Sequence, residues 1–147
     1  YTWLPNFKNV LDPTTITGIK MDGGIKWNIT NPNIDKTVAG GIPGKPRINS
    51  GKTVEKSAGY TITNNPPSST QKVLYGIYDD KGKYVHKEVN GSSNSCNFTA
   101  AELASLGSTK NGMIQANAYR ISNETINGKK VYFVSQSSYT VTGVEIK

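Results

Sequence analysis

Tyr84, His86 and Glu88 alternate along "KYVHKEV" (83–89) and together supply a phenol, a base and a carboxylate. His86 is the only histidine, so any imidazole chemistry would have to pass through it. On a strand, residues two apart lie roughly 6 to 7 Å from one another at Cα. Val85 and Val89 read as the buried face of the same strand, which turns the trio toward water. A serine hydrolase also needs its nucleophile on a strained turn, and no G-x-S-x-G occurs. The expectation is a solvent-exposed histidine.

Cys96, in "NSCNF", is the single cysteine, so neither an intrachain disulfide nor a cysteine metal cluster can form. A cysteine nucleophile needs a nearby base and a lowered pKa. His86 is the only candidate base, and nothing in the sequence brings it near. Alternation from Cys96 to Phe98 predicts that both point inward, as a small buried thiol and its neighbour. Asp79-Asp80 with Gly82 opens like a calcium loop, but the later acidic ligands and terminal Glu are missing. A hairpin turn explains the same residues. Without a nucleophile, base or metal set, the chain is expected not to be an enzyme and to carry no cofactor.

The aromatics suggest a different chemistry. Sugar rings stack on exposed aromatic faces, and Trp3, Trp27, Tyr75, Tyr78, Tyr84, Tyr119, Tyr132 and Tyr139 are spread over the chain. Such residues are also ordinary strand formers, and about half of those on any strand pack inside. Trp27 alternates with Ile25 and Ile29 and reads as core. Tyr1, Trp3, Tyr84 and Tyr119 are the candidates for saccharide contact. Asn28, Asn90, Asn97 and Asn123 each open an N-x-[ST] sequon, the acceptor of eukaryotic secreted proteins.

These residues need a frame, and the composition favours β-structure. Asn, Ser and Thr number 15, 13 and 15 of 147 residues, and Gly adds 15. Such residues populate turns and the wet faces of strands, while the helix formers Ala, Leu and Glu are scarce. Runs of β-branched and aromatic residues lie between turn signals. Asp22-Gly23 joins "TTITGIK" to "GIKWNIT", "DKG" joins "KVLYGIYDD" to "KYVHKEV", and Asn127-Gly128 joins "MIQANAYRIS" to the last run. That last run is long enough for two strand segments with a bend near "SQSS". "NPNIDKTVAGGIPGKPRINSG" reads as a long loop with an irregular edge strand, and "TVEKSAGYTIT" as one strand. In 113–121, Ile114, Ala116 and Ala118 share one face, the period of a half-buried antiparallel sheet.

One segment reads as helix. In "NFTAAELASLG", Thr99 and Glu102 have capping-box spacing, and Phe98 and Leu103 the spacing of a hydrophobic staple. Gly107 is placed to end a helix over 99–106 in a left-handed cap. The expected role is a corner piece between two sheets, just before the penultimate strand.

With "MIQANAYRIS" and "GKKVYFVSQSSYTVTGVEI", this segment resembles the C-terminal half of bacterial immunoglobulin-like or fibronectin type III-like domains, especially those of exported proteins and lipoproteins of the Bacteroidetes; the likeness spans about residues 70 to 147. The resemblance implies a module for display, spacing or binding, with no fixed catalytic residues. The expected fold is an all-β, immunoglobulin-like antiparallel β-sandwich of seven to nine strands with one short helix at 99–106. It forms one domain over 1–147, with 1–13 as a candidate N-terminal extension.

The net charge of +7 comes from 15 dispersed Lys and only Arg47 and Arg120, a solubilising coat rather than a nucleic-acid footprint. No apolar run is long enough to cross a bilayer. A start at "YTWLPNF" without Met fits export after loss of a leader. The expected setting is extracytoplasmic. The expected partner is another envelope or extracellular protein, with a saccharide as the alternative and nucleic acid excluded.

Overall fold

A computed structural model describes residues 25–31 and 34–147, with side chains from 37 onward. Among the described residues the chain is an all-β sandwich of nine strands and one short helix. In order they are β1 (Ile25–Asn31), β2 (Ile34–Gly40), β3 (Thr53–Val54), β4 (Tyr60–Thr63), β5 (Lys72–Tyr78), β6 (Tyr84–Asn90), β7 (Ser95–Phe98), the helix α1 (Ala100–Leu103), β8 (Thr109–Ile126) and β9 (Lys129–Ile146). The main sheet has the order β3-β9-β8-β5-β6, and β4-β7 forms a second layer.

The layers meet through the alternating apolar residues. Val73, Tyr75 and Ile77 of β5 and Ile114, Ala116 and Ala118 of β8 are fully buried, as period 2 requires. They pack with Ile62 of β4, Cys96 and Phe98 of β7, and Leu103 and Leu106 after the corner. Among the described residues every strand pairing is antiparallel except β3–β9, which is parallel at Thr53↔Glu145 and Val54↔Ile146.

Two hairpins form as their turn residues dictate. Gly82 takes φ 84 between β5 and β6, and Asn127-Gly128 take φ 50 and 73 between β8 and β9. The second turn is only two residues long because β8 runs on to Ile126. β9 is likewise continuous, with no break near "SQSS". Its irregularity lies at Gly143, which has φ 67 and is skipped where Gly112 pairs Val144 and Met113 pairs Thr142. Glycine there permits the left-handed bulge residue.

Two other expectations change. "TVEKSAGYTIT" is two strands in different sheets. Ala58 closes a turn onto the Glu55 carbonyl, Gly59 takes φ 80, and the chain crosses from β3 beside β9 to β4 beside β7. The supposed long loop begins with β2, paired to β1 from Asn31↔Ile34 to Ile25↔Gly40. The Asp22-Gly23 hairpin lies outside the described residues, as do Tyr1 and Trp3; the side chains of Trp27 and Asn28 do too.

The helix is one turn, shorter than 99–106. Its capping box is complete: the Thr99 side chain accepts from the Glu102 N–H, and the Glu102 carboxylate accepts from the Thr99 N–H at 2.8 Å. Leu103 and Phe98 are both buried. Gly107 does not cap it in the left-handed region, and its N–H donates instead to Asp79 Oδ2 at 2.8 Å. α1 turns the corner from β7 in one sheet to β8 in the other.

Candidate functional site

The candidate surface is the outer face of the main sheet. Pairing places Tyr84, Tyr78, Met113 and Thr142 in one row across β6, β5, β8 and β9. The next row is His86, Gly76, Gln115 and Thr140, and the third is Glu88, Leu74, Asn117 and Ser138. A fourth holds Asn90, Lys72, Tyr119 and Gln136. Tyr84 and Tyr119 therefore share a face but sit at opposite ends of it, about 20 Å apart along the strands.

Glycine shapes the Tyr84 end. A Cβ at Gly76 would stand 2.6 Å from Tyr78 Cε2, so the absent side chain is what lets the Tyr78 ring lie over the sheet. The ring centroid of Tyr84 is 5.7 Å from that of Tyr78, and His86 stacks on Tyr84 at 5.7 Å with planes 29° apart. Tyr84 is 57% exposed. Tyr78 Oη donates a long hydrogen bond, 3.5 Å, to Gln115 Oε1. In the third row Ser138 Oγ donates to Asn117 Oδ1 at 2.6 Å.

The trio of Tyr84, His86 and Glu88 does not work as a unit. His86 is exposed and held by the Tyr84 ring. Glu88 is taken by others: the Tyr119 hydroxyl donates to its Oε2, and Lys72 Nζ lies 3.3 Å from Oε1. That bond pushes the Tyr119 phenol up to about 12 and, with Lys72, draws the Glu88 carboxyl down. Alternation put Tyr119 and Glu88 on outward faces. It had no means of showing that they meet across β5.

The other candidates are structural. Burial pushes the Cys96 thiol up to about 11, the opposite of what a nucleophile needs. Asp79 is buried and fully occupied by backbone. Its Oδ1 accepts from the N–H groups of Lys81 and Lys83, each at 2.9 Å, and its Oδ2 from Gly107. The Gly107 bond is the largest cause of its lowered pKa. Asp79 thus ties the β5–β6 turn to the exit of α1. Among the described residues no group of three or more His, Cys, Asp and Glu is placed to hold a metal.

Lys87 was missed by sequence reasoning. It lies on the inward face of β6 between Val85 and Val89, passes over the Phe98 ring at 5.4 Å, and reaches Glu102 at 2.6 Å and the Asn97 carbonyl at 2.8 Å. A charge on the inner side of an edge strand discourages edge-to-edge pairing.

Beyond Tyr119 and Gln136 the same outward face continues along the far end of β8–β9, a two-stranded ribbon beyond the reach of β5. Its inner side packs Ile126 and Phe133 against Val38 of β2. Its outer side exposes Ile121, Tyr132 and Val134 at 39%, 59% and 54%, with Ile121 directly opposite Val134. At its base the Gln71 carboxamide substitutes for a strand residue, donating to the Ile121 carbonyl at 3.0 Å and accepting from its N–H at 2.9 Å. Asn90, Asn97 and Asn123 are exposed. No helix of the described residues is long and apolar enough to cross a membrane. No protein-family model matches the chain, and neither the curated proteins nor the solved structures offer a significant likeness.

Proposed function

We propose that the chain is a non-catalytic extracytoplasmic β-sandwich module, of the bacterial immunoglobulin-like kind its C-terminal half resembles, which docks another envelope or extracellular protein through the outer side of the β8–β9 ribbon. The observation that carries the reading is the grouping of exposed apolar residues. Of the four large hydrophobics exposed among the described residues, Ile121, Tyr132 and Val134 stand together on this one strip. Contiguous apolar surface on a projecting ribbon marks an interaction site. Lys130 lies over the Tyr132 ring at 5.5 Å, and the chain carries +7 overall, so the fitting partner is apolar at its centre and acidic at its rim.

A photo-crosslinker at position 132, in the intact envelope of the source cell, tests this. Docking predicts a discrete crosslinked protein that is lost with Val134→Ser and absent when the crosslinker is moved to the exposed turn residue Lys81. Equal yields from 132 and 81 would sink the reading.

A further inference from the structure

We propose that the outer face of the main sheet around Tyr78 is a binding site for a neutral saccharide, distinct from the ribbon and independent of it. The site is built from Tyr78, Tyr84, Gln115 and Asn117, of which only Tyr84 was singled out by sequence as a saccharide contact.

The chemistry argues from what a pyranose presents. One side of the ring is a patch of C–H groups, and its rim carries hydroxyls that each donate and accept. A receptor therefore needs a flat aromatic surface and, within a few ångströms, fixed amide groups. Tyr78, lying over Gly76, is the flat surface, and Tyr84 with His86 stacked on it raises a second plane at its border. One row along from Tyr78 the carboxamide of Gln115, and two rows along that of Asn117, project from the same strand on the same side. Each has its oxygen engaged by a protein hydroxyl, Gln115 by Tyr78 and Asn117 by Ser138. The amide nitrogens of both have no partner among the described residues, so each has two N–H donors to offer. Thr140 and Ser138 add hydroxyls in the adjoining strand.

Charge selects the class of sugar. Among the described residues, the charged side chains in these rows are Glu88 and Lys72, which pair at 3.3 Å, with the Tyr119 hydroxyl donating to Glu88. Among the described residues, the four rows hold no cation besides Lys72, so a sulfated glycan or a uronate finds no free counter-charge in them. From the Tyr84 row to the Asn117 row is about 13 Å of strand, the length of two or three pyranose units.

Titration of the 15N-labelled chain with cellotriose, mannotriose and chitotriose, at physiological salt, tests the site by NMR. A heparin-derived oligosaccharide serves as the anionic control. The expected result is movement of the side-chain NH2 signals of Gln115 and Asn117 with at least one neutral trisaccharide. Tyr84→Ala, which alters an exposed ring, should weaken that binding about tenfold, the loss of one aromatic contact. Gln115→Ala should weaken it as well, and Val134→Ser on the ribbon should leave it unchanged. The proposal is overturned if no neutral trisaccharide moves those two signals. It is equally overturned if only the anionic sugar binds, or if binding survives both Tyr84→Ala and Gln115→Ala. None of these outcomes bears on crosslinking at position 132, so the two readings fail separately.

Discussion

Tyr75 takes its ring to the centre of the core and its hydroxyl with it, where the oxygen is buried and has no hydrogen-bond partner. Burial, and secondarily the Cys96 thiol, pushes this phenol up to about 12. A buried polar atom without a partner costs stability. Tyr75→Phe, which keeps the ring and removes that atom, is therefore expected to leave stability unchanged or raise it by about 1 kcal/mol in urea unfolding. A clear loss would show that the hydroxyl is satisfied in solution. Glu102 is the opposite case. Lys87 first, and then the Thr99 N–H, holds its carboxyl down from 4.5 to about 2. A carboxylate lowered in the fold stabilises it above the ordinary value, and that contribution fades as pH falls through the folded one. Glu102→Gln is expected to melt at a lower temperature than the parent near neutral pH. The gap should close between pH 4.5 and about 2; a gap of constant size across that range would disprove the assignment.

The ribbon depends on its turn. Asn127 and Gly128 both occupy the left-handed region, which sets the mirror-image turn that matches strand twist. An alanine at 128 would hold φ 73 at a cost of roughly 1 kcal/mol, since the Cβ crowds the backbone there. Gly128→Ala should lower the thermal midpoint and speed amide exchange near the tip, leaving the β5–β8 ladder protected; uniform loss of protection would mean the tip and sheet open as one. This hairpin was legible from sequence because its signal is local: two turn residues between alternating runs. The same reasoning treated "TVEKSAGYTIT" as one strand. Its alternation is real, but Gly59 breaks it and the two halves have partners about 90 and 35 residues away. The segment from Asn31 reads from sequence as a loop with an irregular edge strand because of its Pro and Gly, yet its strand at 34–40 pairs with β1 regularly from end to end.

At the scale of the molecule, the last residues close the sandwich. Ile146 is 1% exposed, pairs Val54 on one side and Thr109 on the other, and its Cδ1 fills the space above Gly112. Ile146→Ala removes buried methyl groups where strands distant in sequence meet, and a loss of about 2–5 kcal/mol is expected in denaturant unfolding. A loss well under that range would mean the end of β9 is dispensable to the core. The two surfaces proposed for binding also belong to this scale. Both are made of side chains that face away from the core, the docking strip on the ribbon and the ring-and-amide shelf over β5 and β8.

From sequence alone came the all-β class, the inward and outward faces of β6 and β8, two of the turns, and the capped corner at Thr99. Each follows from residues within a few positions of one another, where period, turn chemistry and capping are set. Only the tertiary structure decided that Tyr119 meets Glu88 across β5, that Tyr78 lies over Gly76 beside Gln115, and that Asp79 clamps Gly107. Those contacts depend on strand order and register, which are fixed by the burial of a shared core among distant segments and leave no mark in any short window of the chain.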